Sequence, residues 1–354
     1  MKIKEINAFS QNLALSKPYS IAYQTISDVK NIFLVVTLEN GIIGIGSANP
    51  NFEVVGETPS QTLENCISDF CQSFVGKDIR HFRNIIKSIE TAFPNKPGTL
   101  AIWDIALHDA FGKYLDIPVV GLYGQCIERL PTSCTIGIMG VEETLREARE
   151  YESLGFNVLK IKTGLDIELD IERVIKLNER FKKLTIRVDA NQGYTKEQLL
   201  QFVRATEKYN LQLIEQPIPV GEESQLVKLD EKIRKLLVAD ESLKNSTSAV
   251  TLAVKPQIFG VYNIKLMKCG GLIGAFEIAT IAKAANIDLF WGCNDESIVS
   301  ITAALHAAFA CPNTKYLDLD GSLDLAEDLV HGGFILKNGE LSIGGKSGFG
   351  VEIN

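Results

Sequence analysis

From about Cys134 onward the chain alternates short apolar runs with longer amphipathic stretches. CTIGIM, NVLKIK, LTIRVDA, LQLIEQP, LLVADES, VYNIKLM, DLFWGC and KYLDLD are eight such runs, with stretches such as VEETLREAREYESL and TKEQLLQFVRATEKY between them. Nearly continuous apolar runs point to parallel strands covered by helices on the outer face. Eight of them make a closed barrel the first choice of architecture. An open doubly wound sheet is the fallback, although no GxGxxG follows any of the strands. Gly270-Gly271, after LMKC, reads either as a tight turn into a helix or as a phosphate cradle.

The first part of the chain has a different grammar. IKEINAFSQ and NIFLVVTLENGIIGIGSA read as strands, and Asn40-Gly41 marks a hairpin between two apolar runs. KPYSIAYQTISDVK, polar and uneven, reads as a mobile loop. Helical periodicity follows over 60–75, 80–93 and 98–114, the third Ala-rich and therefore largely buried. Strands followed by a run of helices suggest a segregated α+β domain. After Asp320, HGGFILKNGELSIGG reads as a hairpin turning at Asn338-Gly339 and returning to that first domain. The expected organisation is an α+β capping domain over 1–125, a barrel over 126–325 and a C-terminal return over 326–354.

Charged residues punctuate the barrel half at nearly the spacing of one strand-helix unit. Lys162, Asp189, Glu215, Asp240, Lys265 and Asp318 are separated by 27, 26, 25, 25 and 53 residues, each at the C-terminal end of an apolar run. In a parallel barrel these ends share one face, where barrel enzymes keep their active sites. Asp189, Glu215 and Asp240, with no Cys or His partner, form a hard oxygen set that suits Mg²⁺. Any one of them alone would read as a helix cap or a rim partner of Arg. Lys160 and Lys162, two apart on one strand, point to the same side. Mutual repulsion and a nearby dication are expected to lower both toward the range where an amine can act as a base. Lys265 is the counterpart across the barrel, whereas Lys268 reads as a solvent-exposed lysine. A metal and an ammonium on a substrate carboxylate would stabilise the enediolate formed when the adjacent, weakly acidic proton leaves.

Composition narrows the setting. A chain of 354 residues exceeds the usual size of one core, and 45% apolar with 23% charged residues is ordinary for a globular protein. A net charge of −8 disfavours nucleic acid and an anionic membrane surface as partners. No stretch approaches a membrane span and the N-terminus lacks a signal-peptide core, so a soluble cytoplasmic protein is expected. Seven scattered cysteines without a CxxC pair read as reduced, structural thiols. His108 and His306, within Ala-rich helical patterns, read as packing residues.

The motifs LKIKTG (159–164), VDANQ (188–192), IEQP (214–217), ADES (239–242) and NIKLMKCGG (263–271) together resemble the enolase superfamily, in its muconate-lactonizing subgroup. The resemblance spans essentially the whole chain. It implies an α/β fold, a (β/α)7β TIM-like barrel with an N-terminal α+β capping domain. It also implies the chemistry already set out, for which enolase-type sites are a standard example. Asp318-Leu319-Asp320 resembles the DxD of dipeptide epimerases, such as L-Ala-D/L-Glu epimerase, whose two carboxylates hold a dipeptide's α-ammonium. The resemblance makes Lys162 and Lys265 the acid/base pair, with Lys160 supporting the oxyanion. Asp189, Glu215 and Asp240 become Mg²⁺ ligands, with Asp318, Asp320, Thr135 and Asn191 as polar contacts.

Two departures bear on the substrate. Gln24, in IAYQT, stands where L-Ala-D/L-Glu epimerases carry an Arg that grips the glutamate carboxylate. Asn294 and Asp295, in GCNDES, make the pocket polar or acidic and favour a polar or cationic dipeptide, though Asp295 reads equally as a solvated rim residue. Tyr19, Tyr23, Asn51, Phe52 and Val55 would close over the substrate. The expected activity is Mg²⁺-dependent epimerisation at the α-carbon of a dipeptide's C-terminal residue. A muconate cycloisomerase or o-succinylbenzoate synthase shares the lysines and metal site but has no ammonium to hold. A non-catalytic binding protein on this fold is the alternative of another class, and the intact lysine and carboxylate set speaks against it. A homo-oligomer is left open.

Overall fold

The computed structural model describes residues 1–21 and 24–354; Tyr23 and the side chains of 17–26, including Tyr19 and Gln24, lie outside the described residues. Strands β1 (Ile3–Ile21), β2 (Gln24–Leu38) and β3 (Ile43–Ala48) form an antiparallel meander. The turn between β2 and β3 falls where Asn40-Gly41 announced it, with Gly41 at φ +86° and Asn40 Oδ1 accepting from Ile42 N at 3.2 Å. The expected loop at 17–30 is largely strand. β1 and β2 continue as a two-stranded ribbon paired at Tyr19–Ile26, Ser20–Thr25 and Ile21–Gln24. Ribbon pairing is carried by the backbone, so polar composition does not prevent it. Pro18, which has no N–H to give, falls in the break in register between the Ala14 and Tyr19 pairs.

The meander packs on helix Pro97–Leu115, which is buried along most of its length. The glycines of IGIGSA make this contact possible. A Cβ on Gly46 would stand 2.1 Å from the Ile102 carbonyl oxygen, and one on Gly44 2.3 Å from that of Ala106. Backbone therefore lies directly on backbone.

After β4 (Arg129–Pro131), eight parallel strands follow in chain order. They are β5 (Cys134–Ile136), β6 (Val158–Lys162), β7 (Thr185–Asp189), β8 (Leu211–Glu215), β9 (Leu237–Ala239), β10 (Val261–Ile264), β11 (Asp288–Trp291) and β12 (Thr314–Leu317). A parallel bridge between Thr132 and Leu317, with Ser133 N donating to Leu317 O at 3.1 Å, joins the last strand back to the first and closes the barrel. Helices connect each strand to the next, and β12 leads instead into β13 (Val330–Gly332), β14 (Phe334–Lys337), β15 (Glu340–Ile343) and β16 (Val351–Ile353). This is the (β/α)7β arrangement. Leu213, Val238, Val261 and Phe290, with Tyr316 against them, form an apolar floor inside the barrel.

The C-terminal hairpin β14–β15 turns at Asn338-Gly339, both at positive φ. β15 pairs with β4, while Phe349 N donates to Asp109 of helix Pro97–Leu115 at 2.8 Å, so the tail touches both the strand before the barrel and the cap helix. His108 and His306 are buried packing residues, as their Ala-rich settings suggested. All seven cysteines are free thiols. No described helix is long and apolar enough to cross a membrane.

Candidate active site

Period-two alternation along each barrel strand decides what faces inward. In β6, Leu159 and Ile161 are fully buried under the helices, and Lys160 and Lys162 point to the interior. The same alternation sends Arg187 and Asp189 inward from β7, and Leu213 and Glu215 from β8. The spaced residues do meet, at the C-terminal mouth above the apolar floor.

Lys160 is the hub. Its Nζ donates to Asp318 Oδ2 at 2.5 Å and lies 3.4 Å from Asp189 Oδ2 and 3.5 Å from Glu215 Oε2. Lys162 Nζ donates to Asp189 Oδ2 and Asn191 Oδ1, each at 2.8 Å. On the opposite wall, four strands away, Lys265 Nζ donates to Asp240 Oδ2 at 2.8 Å. Space for Lys265 depends on Gly292, where a Cβ would come within 3.1 Å of the lysine Cε.

Lys268 overturns its expectation. It is buried, donating to Asp240 Oδ1, to Asp240 O at 2.6 Å and to Asn263 O at 3.1 Å. The short helix Leu266–Cys269 carries it inward, one turn beyond Lys265. Two residues with no role expected from the sequence join the site: Asn263 Nδ2 donates to Glu215 Oε1 at 2.6 Å, and Glu241 accepts from Asn191 Nδ2 at 3.2 Å. Asn263 lies two residues before Lys265, an inward register that could have flagged it.

Asp318 and Asp320 play unequal parts. Asp318 also accepts from Ser133 Oγ at 2.6 Å, while Asp320 Oδ2 accepts from the Thr135 amide at 2.8 Å. Beneath them Arg187 Nη1 donates to Leu317 O at 2.6 Å, with its guanidinium over the rings of Phe290 and Tyr316. Asn294 Nδ2 donates to Asn49 O at 2.9 Å, and Asn49 Nδ2 to Asp295 O at 2.8 Å. Asp295 is half-buried, and its backbone carbonyl is held by the cap. Asn51 caps the short helix Phe52–Val55 that follows, and Phe52 is 55% exposed.

The charges are strongly coupled. Burial works against ionising Asp189 and Asp240, yet Lys162 and Lys160 beside the first, and Lys265 and Lys268 beside the second, hold both carboxyls below their ordinary value. Glu215 goes the other way: burial first, then Asp189, pushes it up to about 8. Asp320 rises to about 7 through burial and Asp318, and Glu296, with Asn294 N donating to it at 2.8 Å, rises to about 7 through burial. Burial lowers Lys160, but Asp318, Glu215 and Asp189 outweigh burial and hold it well above the lysine range. Among the described residues no three carboxylates, imidazoles or thiols close into a metal shell; ammonium groups stand between the acids.

Two family descriptions match the chain: enolase C-terminal domain-like over 143–354, and mandelate racemase / muconate lactonizing enzyme, N-terminal domain, over 3–124. The chain belongs to the enolase superfamily. Within that superfamily it is 50% identical over 353 residues, 99% of each chain, to the L-Lys-D/L-Arg epimerase of Desulforapulum autotrophicum. The dipeptide epimerase of Methylococcus capsulatus, crystallised with Mg and the dipeptide L-Arg-D-Lys, superimposes with a TM-score of 0.96 at 44% identity, covering 99% of both chains. The dipeptide epimerase of Enterococcus faecalis, crystallised with Mg and L-Leu-L-Tyr, gives 0.92 at 32% identity and the same coverage.

Proposed function

We propose that this enolase-superfamily protein is a Mg²⁺-dependent dipeptide epimerase acting on cationic dipeptides. The carrying observation is a pair of lysines, Lys162 and Lys265, on opposite walls of one barrel mouth, each against a buried carboxylate. An epimerase needs that arrangement: one amine removes the α-proton from one face of the carbon, and the other returns a proton to the opposite face.

The donor set fits a hard dication. Asp189, Glu215 and Asp240 are buried oxygen donors, and the mouth holds more acid than base. Asp189, Glu215, Asp240, Glu241, Asp318 and Asp320 face Lys160, Lys162, Lys265 and Lys268; burial first, and then the neighbouring acids, raise Glu215 and Asp320. Asp189, Glu215 and Asp240 would hold Mg²⁺, which when bound neutralises the substrate carboxylate as its α-proton leaves. Lys160 adds a fixed positive charge at the same oxygens. Asp318 and Asp320 would take the dipeptide's ammonium, since a cation beside Asp320 restores the charge that burial suppresses.

Selection for cationic side chains is supported by the names of the relatives that share half or nearly half of this sequence. The acidic segment holding Asp295 and Glu296 agrees with it. The test is incubation with Mg²⁺ in D₂O against single L,L-dipeptides, followed by mass and chiral analysis. Deuterium should enter Lys- and Arg-containing dipeptides first. Epimerisation surviving Lys162→Ala, Lys265→Ala or chelation would overturn the mechanism, and preference for acidic or apolar dipeptides would overturn the specificity.

A further inference from the structure

The parallel ladder between β5 and β6 ends at the pair Ile136–Ile161. One residue further along each strand, a single guanidinium takes over. Arg173 Nη2 donates to Gly137 O at 2.5 Å and Nη1 to Lys162 O at 2.6 Å, while Nε donates to Thr144 Oγ1 at 2.9 Å. Arg173 lies in helix Ile167–Arg180 and is wholly buried, and burial draws it below the ordinary arginine value. An apolar side chain could dock the helix at less desolvation cost. It could not tie two strand-end carbonyls together.

Asp170, one turn earlier, supplies the opposite polarity. Its Oδ2 accepts from Gly164 N at 2.8 Å and from Tyr194 OH at 3.0 Å, and its Oδ1 lies 3.7 Å from Arg173 Nη1. The chain leaving Lys162 is thus gripped at the carbonyl of 162 and the amide of 164. Lys162 is the last residue of β6, and its side chain is 32% exposed, against 15% for Lys265. Its aim therefore depends on its backbone more than on packing.

We propose that Arg173 and Asp170 form a clamp that positions Lys162 for proton transfer. This rests on the two-lysine reading above. Arg173 is a positioning residue, and it acts on one face of the substrate only, because Lys265 sits on the opposite wall in a segment it does not touch.

The test measures α-deuterium incorporation in D₂O from each epimer separately, with Lys162→Ala and Lys265→Ala assigning the two faces. Arg173→Lys, which keeps the charge but cannot span both carbonyls, should slow exchange at the Lys162 face about 10- to 100-fold and leave the Lys265 face within about twofold. Equal loss on both faces, or no loss on either, overturns the clamp. If Arg173→Lys does not fold, Asp170→Asn removes the counter-charge and weakens the grip on Gly164, with the same one-sided loss expected. A readout independent of turnover is reductive methylation mapped by peptide mass. Lys162 should react about threefold faster or more in the variant as its backbone loosens, with Lys265 unchanged; equal rates at Lys162 overturn the proposal. Wild-type protein that exchanges no dipeptide would defeat the epimerase reading, and the methylation comparison would still decide the clamp.

Discussion

His306 couples acid to the joint between cap and barrel. It lies in helix Ile298–Ala310, 1% exposed, and its Nδ1 accepts from Val120 N at 3.1 Å, just beyond the cap helix. Its ring packs edge-on against Phe349 of the C-terminal return, and Nε2 has no partner among the described groups. Burial pulls the imidazole down to about 3, from 6.5 in the unfolded chain. Between those values the unfolded state binds the extra proton, so stability is full above pH 6.5 and falls as pH drops toward 3. At pH 5 the shortfall is about 1.5 units at about 1.4 kcal/mol each, roughly 2 kcal/mol. His306→Asn keeps an acceptor for Val120 N and cannot titrate in this range. Urea unfolding followed by fluorescence reports on both parts, since Trp103 lies in the cap helix and Trp291 in β11. Between pH 7 and pH 5 the wild type should lose about 2 kcal/mol more than the variant, because the other groups cancel in the difference. Parallel losses in the two proteins would refute the reasoning.

Three further outcomes follow from the same structure. Lys268→Met strips one of two ammonium groups from buried Asp240 and should destabilise the protein by about 3 kcal/mol in urea, a loss that saturating Mg²⁺ partly restores; no loss without Mg²⁺ would contradict its place in the site. Glu296 has its folded value raised to about 7 from 4.5, so its stabilising contribution is present below pH 4.5 and lost as pH rises through 7. Glu296→Gln should therefore flatten the stability profile over that window, seen as a variant that gains on the wild type toward pH 8. Gly46→Ala drives a methyl group into the Ile102 carbonyl and should cost about 2 kcal/mol or more by thermal melting, whereas Gly41→Ala, in an open turn at positive φ, should cost about 1 kcal/mol.

The architecture was legible because it rests on local periodicity. Apolar runs such as VLKIK and TIRVD carry their own alternation, and a parallel barrel turns evenly spaced strand ends into one mouth. Lys162, Asp189, Glu215, Asp240 and Lys265 could be named on that ground alone. Asn40-Gly41 and Asn338-Gly339 marked their hairpins because positive φ selects those residues locally. The ribbon formed by the ends of β1 and β2 was not legible because strand pairing there uses backbone groups, which leave no trace in composition.

Lys268, Arg173, Arg187 and Asn263 became interpretable only in three dimensions. Nothing in KLMKCGG separates a buried lysine from an exposed one; the short helix after β10 and the carboxylate of Asp240 decide it. A charge's worth depends on what surrounds it, so Lys160 is held above the lysine range by the three carboxylates that close around it. Sequence by itself determined which strand-end charges line the mouth, because strand alternation and spacing are properties of the chain. Tertiary structure decided their partners, burial and electrostatics, because those belong to contacts between strands and helices far apart in sequence.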